Sequence, residues 1–121
     1  MIEYTVQVDS HYTKWYINKK LHRENGPAVE STTGNKMWYL NGHRHRTDGP
    51  AVEWHNGDKW WYLNGQRHRT NGPAVEWSSG TKMWYLNGYE VTEAAVMKPV
   101  KQLTVAAIEA LLGHRIEVIA G

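Results

Sequence analysis

Four Trp-Tyr pairs, Trp15-Tyr16, Trp38-Tyr39, Trp61-Tyr62 and Trp84-Tyr85, follow one another at an unbroken interval of 23 residues. Set in line, the units read WYINKKLHRENGPAVESTTGNKM, WYLNGHRHRTDGPAVEWHNGDKW, WYLNGQRHRTNGPAVEWSSGTKM and a fading WYLNGYEVTEAAV. A fixed period of this length marks a repeat architecture, in which each unit is one supersecondary element that buries its apolar face only against its neighbours. The expected organisation is a hairpin array over residues 1–97 and a C-terminal helix-strand cap over 98–121. Units fall at about 15–37, 38–60 and 61–83, with a partial unit at 84–97 and a half-unit ahead of the first.

Each unit holds two short runs of strand-forming residues separated by turn signals. Lys-Met-Trp-Tyr-Leu runs into Asn41-Gly42, and its equivalents into Asn64-Gly65 and Asn87-Gly88. Asn-Gly favours two-residue type I′ hairpins because both central residues need positive φ. Pro-Ala-Val-Glu-Trp runs into Asn56-Gly57 or Ser79-Gly80. Pro27, Pro50 and Pro73 open their strands, where a missing N–H costs least. Strands joined only to sequence neighbours predict a mainly β fold, an antiparallel meander in one extended, twisted sheet.

If both turns have two residues, alternation sorts the side chains onto two faces. A Trp face collects Trp38, Trp54, Trp61, Trp77 and Trp84 with Val52, Leu63 and the histidines. A Tyr/Arg face collects Tyr39, Tyr62 and Tyr85, Arg23, Arg44, Arg46, Arg67 and Arg69, and Glu53 and Glu76. A three-residue loop would shift the parity and exchange sides.

Composition narrows the chemistry. The chain has no cysteine, which removes disulfides, thiol nucleophiles and thiolate metal sites. Its aromatic rings are Trp 7 and Tyr 7 with Phe 0, all carrying a polar handle suited to half-wet interfaces. Net charge is only +2, but lysines and arginines outnumber acids between Lys14 and Met83 while the flanks are acidic. With no leader-like start and no run near the roughly 18 apolar residues of a spanning helix, a cytoplasmic protein is expected.

Beyond Lys98-Pro99 the pattern changes. Residues 103–113 read as a short helix with Thr104 as N-cap and Gly113 as stop, and 115–119 alternate as a strand. A helix of about 12 Å cannot cover seven or eight strands spanning roughly 35 Å. Apolar area left bare beyond a few hundred Å² marks an interaction site. The five tryptophans are accordingly expected to form a core or homodimer face.

The unit NGQRHRTNGPAVEWSSGTK resembles the MORN repeat, a 23-residue hairpin with an aromatic-rich strand and Gly-containing turns. The resemblance spans about residues 15–88. It departs from that pattern where Arg23, Arg46 and Arg69 stand in place of a Gly after the turn histidine. The array looks closer to divergent "LNG…HR…GPA" proteins of bacteria and their phages, which implies a fold and a host-cytoplasm context but no activity. MORN proteins are associated with scaffolding and with acidic lipids.

Catalysis needs different groups converging on one point, whereas repeats offer the same groups at separated points; no catalytic residue, metal ligand or cofactor is assigned. His22, His45 and His68 recur about 9.6 Å apart, too far to share an ion, and are expected to pack against the facing tryptophans. The expected function is a non-catalytic binding protein. Its partner would be a host protein or complex, and a phage-encoded inhibitor of a host defence protein, such as an anti-CRISPR, is the specific reading. The alternative is a binder of nucleic acid, a signalling nucleotide or an anionic lipid surface through the Arg/Tyr columns.

Overall fold

A computed structural model describes residues 2–98. The order is β1 (Thr5–Val8), β2 (Tyr12–Ile17), β3 (Lys20–Leu21), β4 (Val29–Ser31), β5 (Lys36–Met37), β6 (Tyr39–Leu40), β7 (His43–Arg44), β8 (Val52–Glu53), β9 (Lys59–Trp60), β10 (Tyr62–Leu63), β11 (Gln66–Arg67), β12 (Val75–Glu76), β13 (Lys82–Leu86), β14 (Tyr89–Val91) and α1 (Glu93–Met97). One ten-stranded antiparallel sheet runs β1-β2-β4-β5-β8-β9-β12-β13-β14, with β3 on β2. The pairs β6-β7 and β10-β11 form a second row of hairpins beside it. The expected meander is the observed fold.

Each unit threads one strand through both rows. Lys36-Met37 pairs in the main sheet, Trp38 turns the corner, and Tyr39-Leu40 pairs with His43-Arg44. Trp38 keeps both backbone bonds across the corner, its N–H to the Ala51 carbonyl at 2.7 Å and its carbonyl from the His45 N–H at 3.1 Å. Neighbouring hairpins of the second row join through Arg46 N–H to Tyr62 carbonyl and Gly65 N–H to Arg44 carbonyl. The core follows the same nearest-neighbour rule. Ala51 and Val52 pack with Tyr62 of the next unit, and Ala74 and Val75 with Tyr85. Ala28, Ala51 and Ala74 are fully buried.

The two kinds of turn differ in length, and that difference corrects the expected faces. Asn41-Gly42, Asn64-Gly65 and Asn87-Gly88 are two-residue turns with both φ values positive, and Tyr39 opposes Arg44 as expected. The turn at Asn56-Gly57 has three residues instead. Gly57 N–H bonds the Trp54 carbonyl at 2.9 Å, Gly57 sits at φ 99, and Val52 opposes Trp60 rather than Trp61. Gly34 and Gly80 repeat the geometry at φ 102 and 95. A type I turn closed by a left-handed glycine produces this loop, and one extra residue moves the whole following strand to the other side.

Val29, Met37, Val52, Trp60, Val75 and Met83 consequently line up across the main sheet on the side of Tyr39, Tyr62 and Tyr85. Glu30, Lys36, Glu53, Lys59, Glu76 and Lys82 form an alternating ladder on the opposite side, shared with Trp38 and Trp61. The five tryptophans therefore do not share a face: Trp54 and Trp77 lie with the tyrosines. Likewise Glu53, Glu76, Arg46 and Arg69 lie with Trp38 and Trp61, away from Arg44 and Arg67. The helix and strand expected within 103–119 lie outside the described residues. A separate short helix, α1, follows β14, with Thr92 as its N-cap accepting from Ala95 N–H.

Candidate protein-docking face

Tyr39 and Tyr62 stand opposite Arg44 and Arg67 because their hairpins are tight two-residue turns. The guanidiniums fill the spaces between successive tyrosines. Arg44 Nε donates to the Tyr39 hydroxyl at 3.2 Å and its Nη1 to the Tyr62 hydroxyl at 3.5 Å. Arg67 Nε donates to the same Tyr62 hydroxyl at 3.3 Å and its Nη1 to Tyr85 at 3.5 Å. The result is a ladder, Tyr39-Arg44-Tyr62-Arg67-Tyr85, running along the array. Tyr62 and Tyr85 are only 7% and 8% exposed, so the ladder offers half-buried guanidiniums and hydroxyl edges rather than ring faces.

Burial works against the Arg44 charge, but hydrogen bonds with Tyr39 and Tyr62 outweigh it, and the pKa lies above its ordinary value. For Arg67 the Tyr62 hydrogen bond is the largest influence, opposed by burial and helped by Tyr85, with the same upward direction. Among the described residues, no carboxylate pairs with either group. Both therefore stay cationic, with no carboxylate counter-ion among the described residues.

Beside the ladder, on the same side, lies an aromatic cluster. Trp60 meets Trp54 edge-on at 5.3 Å and Trp77 at 5.8 Å, while the Arg67 guanidinium lies 6.0 Å from the Trp60 ring. The indole N–H groups of Trp54 and Trp60 are buried without an acceptor among the described residues. Trp77 is 37% exposed.

The other arginines of the expected binding set are committed within the chain. Arg23, Arg46 and Arg69 stack on Trp15, Trp38 and Trp61 at 3.9, 3.8 and 3.9 Å. Arg46 Nη1 donates to the Pro50 carbonyl at 3.1 Å and to Glu53 at 3.2 Å, and its Nε to Asp48 at 3.0 Å. Arg69 repeats this with Pro73, Glu76 and Asn71. The remaining side of each guanidinium meets a glycine: a Cβ built on Gly49 or Gly72 would lie 2.9 or 2.6 Å from Cζ. Glycine before proline is thus what lets the arginine lie flat on the indole.

Between successive arginine loops the Trp38 side carries two equivalent clefts of about 580 and 550 Å³. Trp38, Leu40, His45 and Arg46 line the first, and Trp61, Leu63, His68 and Arg69 the second. The histidines act as inter-unit staples. Nδ1 of His22, His45 and His68 accepts the backbone N–H of Asn41, Asn64 and Asn87 at 2.8, 2.9 and 2.9 Å. This requires an unprotonated Nδ1, and Glu24 at 3.3 Å from His22 Nε2 suits a proton on the other nitrogen. Trp84 lies in β13 on the Trp38 side, opposite Val91.

Of the expected residues, the structure brings together Tyr39, Tyr62, Tyr85, Arg44 and Arg67, and adds Trp54 and Trp77. It separates Arg23, Arg46, Arg69, Glu53 and Glu76 from them. Trp60 was not among the expected site residues. Its signal was present as a departure within the repeat, since the equivalent positions are Met37 and Met83. No family model matches the chain, and neither the curated proteins nor the solved structures contain a match. No helix among the described residues is long and apolar enough to cross a membrane.

Proposed function

We propose that this chain is a non-catalytic repeat scaffold that docks on a protein partner through the Tyr-Arg-Trp face. The observation that carries the reading is the pairing of Arg44 and Arg67, charged and without a carboxylate partner among the described residues, with the neighbouring Trp54-Trp60-Trp77 cluster. Arginine, tyrosine and tryptophan are the residue types that concentrate binding energy at protein interfaces. The MORN-like pattern and the phage and bacterial resemblance extend the proposal to an inhibitor acting on a host defence protein in the cytoplasm. A homodimer would have to be built on Trp54 and Trp77 rather than on five tryptophans, and the mass in solution reads this directly.

The uncompensated guanidiniums also favour a polyanion. Against nucleic acid stands the burial of Tyr62 and Tyr85, because single-strand binding draws on open ring faces for stacking. The test is capture of a protein partner by the wild-type chain and by Arg44→Glu with Arg67→Glu. Loss of the partner while the variant still unfolds cooperatively, at a lowered midpoint because the bonds to the tyrosine hydroxyls are gone, is the expected outcome. Retention of the partner, or steeply salt-dependent oligonucleotide binding with no protein captured, overturns the reading.

A further inference from the structure

The chemistry of this face selects among occupants, an inference that rests on the docking function just proposed. Arg44 and Arg67 share the Tyr62 hydroxyl and have no carboxylate partner among the described residues, while the Glu-Lys ladder and all three Arg-Glu pairs lie on the opposite side and Glu90, opposite Tyr85, closes the row one unit beyond Arg67. Charge complementarity therefore asks the occupant for acids. Two strands per unit set the Arg44-to-Arg67 backbone spacing at roughly 9.6 Å, running along the array.

That distance discriminates between conformations. In a β-strand, alternate residues share a face about 6.7 Å apart, and the next such position overshoots to about 13 Å. In an α-helix the closest match on one face is seven residues, about 10.5 Å. A polyproline II helix returns to the same face every three residues, about 9.3 Å. The main-sheet row holding Trp54, Trp60 and Trp77 runs parallel to the ladder, so one extended segment can lie against both.

We propose that the occupant is an acidic segment of the partner in polyproline II conformation, with carboxylates three residues apart on Arg44 and Arg67 and an apolar side chain against Trp77 and its neighbours. The intervening residues face away and are free to vary, which makes spacing rather than sequence the recognised property.

The test uses the full chain and two peptides of identical composition, one with Glu-Pro-Pro repeated and one with the glutamates contiguous, titrated calorimetrically. The spaced peptide is expected to bind at least tenfold more tightly. Arg44→Gln with Arg67→Gln is expected to abolish that difference. Should the double variant fold poorly, Arg44→Gln alone and Trp77→Ala, at a partly exposed ring, should each weaken the spaced peptide several-fold while unfolding stays cooperative and the thermal midpoint falls by no more than about 8 °C. Equal binding of the two peptides, indifference to these substitutions, or tighter binding of an oligothymidine overturns the proposal. If neither peptide binds while Arg44→Glu with Arg67→Glu still releases a captured protein, the occupant is wrong and the docking face stands. If that variant also keeps its partner, both readings fall.

Discussion

Arg44 and Arg46 are two residues apart in one unit, and Arg67 and Arg69 in the next, yet the members of each pair lead opposite lives. Arg46 lies flat between an indole and a glycine with a carbonyl and two carboxylates for its N–H groups. Arg44 lies between two tyrosine hydroxyls with no carboxylate partner among the described residues. One column is a fastening of the fold, and the other is the charge on which the proposed docking rests. The difference teaches that a column of identical side chains in a repeat is not by itself a recognition surface; what each group still lacks is the useful criterion. The sharpest way to break this comparison is to truncate a tryptophan on each side. Trp61→Ala removes the platform under Arg69 and should cost about 3 kcal/mol, the low end for a large-to-small loss because the ring is only half-buried. Trp77→Ala should cost under about 1 kcal/mol in denaturant unfolding, as its ring is the more exposed. Equal costs would mean that the two faces are not functionally divided.

The glycines offer a graded version of the same test. Cβ atoms on Gly26, Gly49 and Gly72 would approach the arginine Cζ at 3.1, 2.9 and 2.6 Å. Alanine at Gly72 must displace Arg69 from Trp61, an overpacking penalty of about 1–3 kcal/mol. Gly49→Ala should cost less and Gly26→Ala least. Thermal midpoints of the three variants read the order, and a flat series would show that the guanidinium gives way freely. Stability should fall while affinity for the spaced peptide holds.

Most of the architecture was legible because the period and the Asn-Gly pairs each encode one geometry. Tyr39 opposite Arg44 follows from the type I′ turn alone. The second turn was not legible in the same way, since His-Asn-Gly and Asn-Gly loops share the same letters and differ only in which carbonyl the Gly57 N–H reaches. That one residue decided the side of Val52, Glu53 and Trp54, and with them the composition of the candidate site. The pairing of Arg46 with Pro50 could not be read either, because it depends on a loop folding back rather than on strand alternation.

The first unit sharpens the comparison by lacking what the ladder needs. Leu21 stands opposite Tyr16 where the next two units have Arg44 and Arg67 and the fourth has Glu90, and Lys19 occupies the turn position of Gly42 and Gly65. Asn18 and Lys19 hold φ values of 50 and 65, a left-handed conformation costing a non-glycine residue about 1 kcal/mol. Lys19→Gly should therefore raise stability by no more than about 0.5 kcal/mol after the roughly 0.5–1 kcal/mol of added chain entropy of glycine is counted. A melting temperature higher by up to about 2–4 °C checks it, and peptide binding at Arg44 and Arg67 should not move.

The smallest effect is confined to acid and compares two copies of one staple. Asn35 Oδ1 accepts the His55 N–H at 2.8 Å, and one unit later Asp58 Oδ1 accepts the Ser78 N–H at 2.6 Å. The Ser78 backbone bond is the largest influence on Asp58, with burial opposing it and Asn56 assisting, and it holds the carboxyl below its ordinary 3.8. A carboxyl with a depressed native pKa binds fewer protons folded than unfolded. Its contribution to stability is thus complete above 3.8 and is lost as pH falls from there through the lower native value. Asp58→Asn substitutes the neutral form of the staple already used at Asn35. The variant should lie below the wild type by a constant margin above about pH 5, and the two curves should converge as pH falls below it, measured as midpoint against pH. Parallel curves would locate the acid sensitivity in other carboxylates, such as Asp9, which the N–H groups of His11 and Tyr12 also hold low. Throughout this titration Arg44 and Arg67 stay charged, so acid should loosen the turns of the array while leaving the docking ladder's own charge untouched.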